Sequence, residues 1–228
     1  MNLIATQIGR TILMVPIDAI APLGGVYLPS LFSSIQERYR FGTIPNVAAS
    51  QEQAQKEGFK FTIGKIRKDA RDFPIQDFTA FQDGMVCTAD NTEVSEFFIE
   101  DLLKFLRDEF DFRQVTVEPR KFFFSQITVQ FKSSANRFVS KFDALSRAAE
   151  KVYQDTYGIK TANGAQLHSL TLDFDKTELP GMFSSLARFL IERRINTPYA
   201  DNLFISTAPL RTADHIKTLN EIEQTIAE

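Results

Sequence analysis

The residues best able to do chemistry lie together in the last third of the chain. Asp173-Phe174-Asp175, with Glu178 three residues on, places two carboxylates on one side of a strand end. Such a pair can hold Mg²⁺ or Mn²⁺ against a phosphate, as a phosphoryl-transfer or nuclease-like enzyme requires. Acidic residues at a strand-to-turn junction are also ordinary solvated loop chemistry. The D-x-D spacing therefore supplies an alternative reading and assigns no metal ligand. Arg188, Arg193 and Arg194 follow, beside the aromatic rings of Phe189 and Tyr199. Cations interleaved with rings could track a nucleic-acid backbone and stack its bases. A formal net charge of −3 gives the chain no basic footprint, so nucleic acid is the less favoured partner.

Histidine and cysteine are scarce, which narrows nucleophilic and metal chemistry. The two histidines are His168, mid-strand on an otherwise apolar face, and His215, in the first turn of the last helix. The expectation is a structural role for His168 and an exposed position for His215. Cys87 stands alone, so no intrachain disulfide can form and a multi-cysteine zinc site is excluded. It reads as a small core residue, and such cysteine usage favours a reducing, cytoplasmic compartment. Leu23-Gly24-Gly25 lacks the lysine and the spacing of a P-loop, and no G-x-G-x-x-G, G-x-S-x-G or H-E-x-x-H occurs. No catalytic, cofactor-binding or metal-binding residue is assigned and no cofactor is called for, so the reading leans away from an enzyme.

The elements that must position these residues are organised around Phe122–Gly158. Phe122–Phe131 reads as a strand whose Phe123, Ser125, Ile127, Val129 and Phe131 share a face. A helix over Ser134–Tyr157 follows, with apolar residues at Ala135, Phe138, Phe142, Leu145, Ala149 and Val152. The 3,4,3,4,3 spacing is that of a coiled-coil seam or of a helix laid lengthwise on a partner. Phe138, Phe142, Leu145, Ala149 and Val152 are thus the expected interface residues. The seam spans under three heptads, so the helix is expected first to cover the chain's own sheet and to self-associate through what remains exposed.

Upstream, Leu3–Ile8 and Thr11–Ile17 read as a hairpin or one bent strand, followed by a loop at Pro22–Gly25 and a helix over Leu31–Tyr39. Pro16 and Asp18 interrupt the early apolar run, which argues against a signal peptide. Phe59–Ile63 alternates as a strand, and Lys65–Asp72 reads as a linker. Phe73–Ala80 and Met85–Thr88 pair across a type I′ turn at Asp83-Gly84. Asp90 is the expected cap of a helix over Thr92–Phe110, with Glu93 at the capping-box position. Gln166–Phe174 alternates as a strand, residues 182–194 fit either helix or strand, and Leu203–Ser206 is a short strand. The last helix is capped by Thr212 and striped by Ile216, Leu219, Ile222 and Ile226.

Turn signals at Asp83-Gly84, Asn163-Gly164 and Pro180-Gly181 favour antiparallel pairing. The expected architecture is α+β, an antiparallel or mixed sheet with long helices packed mainly on one face. It is read as a single domain over 1–228, with 1–58 as a candidate N-terminal subregion. No run approaches the ~20 apolar residues of a membrane span. Twenty-two Phe against 5 Tyr and no Trp mark dry surfaces, a core or an oligomer interface. The functional expectation is a non-enzymatic interaction or assembly module whose partner is itself or another protein.

Overall fold

The computed structural model describes residues 1–45, 57–114, 119–139, 142–158, 164–173 and 188–227. In chain order they form β1 (Asn2–Met14), α1 (Ile17–Ile20), α2 (Leu28–Tyr39), β2 (Phe59–Lys68), β3 (Arg71–Phe81), β4 (Gly84–Ala89) and α3 (Thr92–Phe110). There follow β5 (Arg120–Gln130), a 3-10 turn (Ala135–Phe138), α4 (Phe142–Tyr157), β6 (Ser169–Leu172), β7 (Phe189–Arg193), a second 3-10 turn (Tyr199–Asp201), β8 (Leu203–Ala208) and α5 (Thr212–Ala227). The strands follow the order β2-β3-β4-β1-β5-β8-β7-β6, and each pairing with a defined register is antiparallel. This is the expected α+β class. The chain separates into two compact units, one of Thr6–Ser125 with Pro209–Thr212, the other of Met1–Ala5, Gln126–Ala208 and Ala213–Glu228.

The N-terminal unit is built on phenylalanine. Phe61 touches Phe32, Phe41 and Phe78 with ring centroids 5.5, 5.3 and 5.8 Å apart, and Phe98 joins Phe78 and Tyr39 at 5.2 and 4.7 Å. These rings come from β2, β3, α2, α3 and the segment just after α2, so one aromatic cluster ties both helices to the strands. Its tilted and edge-on contacts match the ring quadrupoles. α3 buries Val94, Phe98, Ile99, Leu102 and Leu106, a single stripe at helical spacing. Asn91, rather than Asp90, caps it: Val94 N donates to Asn91 Oδ1 at 2.9 Å. Gly9 of β1 lies against this start, where a Cβ would come within 1.9 Å of the Asn91 backbone, so only glycine fits.

Two turns differ from their expected form. Lys65–Asp72 is no linker, because β2 runs to Lys68 and pairs with Arg71 across Asp69-Ala70. Both central residues take positive φ, 49° and 63°, as a type I′ turn demands, although neither is the usual glycine. The β3–β4 hairpin turns on Gln82-Asp83, since Phe81 pairs with Gly84. Neither Asp83 nor Gly84 has positive φ, so Asp-Gly does not form a type I′ turn here. Gly84 answers crowding instead, as its Cβ would meet the Leu13 carbonyl oxygen at 2.3 Å.

The C-terminal unit has its own smaller core of Ile127, Val129, Phe131, Ala135, Ile191, Phe204 and Leu219. Of the face expected for β5, Ser125, Ile127 and Val129 are buried and Phe123 is half-buried, with Phe131 buried just past the end of the strand. Among the described residues of the expected strand Gln166–Phe174, β6 covers Ser169–Leu172; Phe174 lies outside the described residues. Residues 189–193 of the ambiguous 182–194 segment are strand β7; residues 182–187 and Pro180-Gly181 lie outside the described residues. α5 carries Leu219 fully buried with Ile216 and Ile222 against the same core. α4 has no buried residue, so long helices packed mainly on one face are not confirmed. No helix among the described residues is long and apolar enough to cross a membrane.

Candidate functional site

The expected helix over Ser134–Tyr157 is two elements. Ser134 Oγ accepts from Asn136 N at 3.4 Å and opens a single 3-10 turn that stops at Val139, whose φ of −118° and ψ of 115° are extended. Serines at 133 and 134 and a β-branched valine resist continuous helix, since serine competes for backbone bonds and valine loses rotamer freedom. The turn is pinned from outside, because Leu167 N donates to Asn136 Oδ1 at 3.0 Å and Asn136 Nδ2 donates to Gln166 Oε1 at 3.1 Å. The seam is thereby cut. Ala135 is buried and the Phe138 ring meets Phe131 edge-on at 5.2 Å, so both join the core of their own unit.

Phe142, Leu145, Ala149 and Val152 stay on α4 and face two ways. Phe142, Ser146, Ala149 and Glu150 are half-buried. Ser146 Oγ donates to the Ala165 carbonyl at 3.0 Å, so this side leans on residues 164–165. Leu145 and Val152 are 60% and 61% exposed, and Tyr153 and Tyr157 are exposed with their rings 6.0 Å apart. α4 is not the lid on the sheet that its periodicity implied. It is an amphipathic helix holding an apolar stripe to solvent.

The arginines separate in the fold. Arg193 is buried as the last residue of β7, and Arg194 just past it is exposed. Arg193 Nε donates to Leu167 O at 2.8 Å and Nη1 to Tyr199 O at 3.0 Å. Its guanidinium lies 4.4 Å from the Tyr199 ring centroid and 4.7 Å from that of Phe204. Burial lowers its pKa from the ordinary arginine value. It is a structural cation that ties the β6–β7–β8 loops together. Arg188 Nε is 2.8 Å from Asp173 Oδ2. One carboxylate of the D-x-D pair is thus in an ion pair; Asp175 and Glu178 lie outside the described residues. Among the described residues no group of three or more His, Cys, Asp or Glu side chains could hold a metal ion.

His168 is exposed, with Nε2 3.5 Å from Glu192 Oε1. His215 is not exposed, contrary to its expected position; it is fully buried. Ser206 Oγ donates its one proton to Leu190 O at 2.8 Å and lies 2.8 Å from His215 Nε2. The serine can only accept from the ring, so the imidazole carries its proton on Nε2. Burial pushes the pKa of His215 down to about 4. Cys87 is the buried core residue expected, its thiol pKa raised first by burial and then by Asp77.

One feature gave no signal in the sequence. Between α2, α3 and the β2–β4 strands of the N-terminal unit lies a chamber of about 310 Å³. Ala21, Val26, Phe32, Phe59, Ala80 and Leu106 are among its walls, and among the described residues every lining side chain is apolar. Local periodicity cannot reveal such a void, which depends on how the volumes of several distant elements fail to add up.

No family model matches this chain, and no curated protein matches it either. The functional reading therefore rests on the geometry above.

Proposed function

We propose that this protein is a non-enzymatic assembly module that self-associates through the outer stripe of α4. The observation that carries this reading is a 16-residue amphipathic helix with no buried residue, displaying Leu145 and Val152 at the 3,4,3 spacing of a seam. A helix of this apolar pattern is stable when its stripe is covered.

A second copy of the same helix is the occupant that fits best. Leu145 and Val152 form the exposed stripe, with Phe142 and Ala149 half-buried along its inner edge, and of the exposed flanking residues Ala148 and Tyr153 carry no charge while Asp155 carries one. Two identical helices crossing antiparallel can therefore meet with the two Asp155 side chains at opposite ends of the contact. Ala148 and Ala149 at the centre allow close backbone approach. Asp143, Arg147, Glu150 and Lys151 sit outside this strip and keep the helix soluble. Two heptads make a short seam, so the expected dimer is weak, with a Kd on the order of micromolar. The direct test is oligomeric state against concentration, with Leu145→Glu placing a charge in the seam. Loss of the dimer with an unchanged fold supports the reading, and a wild-type chain that stays monomeric across micromolar concentrations removes it.

A further inference from the structure

We infer that the chamber in the N-terminal unit is a binding site for an uncharged, hydrocarbon-like molecule. At about 310 Å³ it is roughly twice the volume of the apolar cavity known to hold one benzene. It also reaches the lower end of the range of small-molecule pockets. Its occupant is thus of the order of two fused rings or a chain of about twelve carbons. The site goes beyond self-association and rests on different residues.

The lining decides the chemistry. The floor is rigid core: Phe61, Phe78 and Leu102 are each 1% exposed or less. The loop side carries main-chain carbonyls that would demand water, but their partners are elsewhere. Of the lining residues, Ala21 O accepts from Arg113 Nε at 2.8 Å, and the same arginine holds the carbonyls of the neighbouring Asp18 and Ile20, which do not line the chamber. Ile17 O accepts from Ala21 N at 2.8 Å. A buried water needs two to four polar partners, and these walls leave none of these carbonyls over. A charged group inside would lose its hydration without replacement. An apolar molecule is the species that gains by entering. The rim suits its approach, since Leu23 and Tyr27, on the loop that contributes Val26, are 91% and 74% exposed.

The test uses the whole chain and the neutral fluorophore N-phenyl-1-naphthylamine. The expected result is a saturable rise in emission with one site per chain, reversed by 1-decanol and no more effectively by decanoate. Ala80→Leu and Ala21→Leu fill the chamber from its sheet wall and its loop wall. Each is expected to weaken probe binding at least about tenfold while the far-UV circular dichroism is unchanged and the melting temperature is held or raised. Loss in either folded variant supports the assignment, so one variant that fails to fold leaves the other to decide. The assignment is overturned by the absence of saturable binding, by wild-type affinity in both variants, by a probe that 1-decanol does not displace, or by a preference for decanoate.

Discussion

His215 makes the stability of the C-terminal unit depend on pH in a calculable way. In the unfolded chain the imidazole takes up a proton near its ordinary pKa of 6.5, whereas in the fold it does so only near about 4. The hydrogen bond to Ser206 does not decide the direction, because Nε2–H donates in both protonation states. Burial decides it, with the ring in a dry core and Phe189 edge-on at 5.3 Å. Between these two values the unfolded chain binds the proton and the native one does not. The stabilisation is complete above pH 6.5 and is lost as pH falls towards 4. A shift of about 2.5 units is worth about 3 kcal/mol in full and roughly 2 kcal/mol at pH 5. The assay is urea unfolding at a series of pH values for the wild type and for His215→Gln, which keeps a side-chain N–H for Ser206. Carboxylates contribute equally to both proteins, so the difference in slope isolates the histidine. The wild type is expected to lose about 2 kcal/mol more than the variant between pH 7 and pH 5. Equal pH dependence, or a His215 ring resonance that titrates near 6.5 in the native protein, would refute the burial argument.

Two further perturbations follow from the N-terminal unit. Glu96 is a half-hidden carboxylate between Arg211 and Lys121; burial raises its pKa, but the hydrogen bonds from Arg211 and Lys121 outweigh this and hold it below the ordinary value. Its contribution is present above the unfolded carboxylate pKa and disappears as pH falls through the lower native one. Glu96→Gln is expected to cost about 1–2 kcal/mol at pH 7 and little at pH 3, as read from thermal melts at both values. Ile63 has φ of 59° and is 74% exposed, so a β-branched side chain occupies the left-handed region with little burial in return. Ile63→Gly is expected to raise stability by about 0.5–1 kcal/mol, because relief of left-handed strain exceeds the entropy cost of glycine; a loss in chemical denaturation would contradict this.

Local grammar was legible in the sequence where it was strong. The Thr92–Phe110 helix and the alternation of β5 follow from period, and the strands at 73–80 and 85–88 pair as expected although they turn on Gln82-Asp83 rather than on Asp83-Gly84. The failures have physical causes. Ile63 was placed on the Phe59–Phe61 face by alternation, but its positive φ breaks the period and turns it to solvent. Asp69-Ala70 forms a two-residue turn without the glycine that marks one. His215 looked exposed because a polar residue in a first helical turn usually is; yet it stands four residues before Leu219, on the same buried stripe. For α4 the 3,4,3 spacing records only that some surface will cover the stripe. Which surface does so depends on the break at Val139, where serines and a β-branched residue override the pattern. Arg193 and Arg194, adjacent in sequence, read as one basic patch, but Arg193 is buried as the last residue of β7 and Arg194 just past it is exposed.

The proposed assembly requires α4 to present its outer stripe to a second copy of the chain. Sedimentation velocity of the wild type across micromolar concentrations, beside Leu145→Glu and Val152→Glu, tests it most directly. These sites are exposed, so both variants are expected to keep the wild-type fold. The prediction is a concentration-dependent shift from monomer to dimer in the wild type and monomer alone in both variants. A wild-type monomer at every concentration, or a dimer that survives both charges, would contradict it.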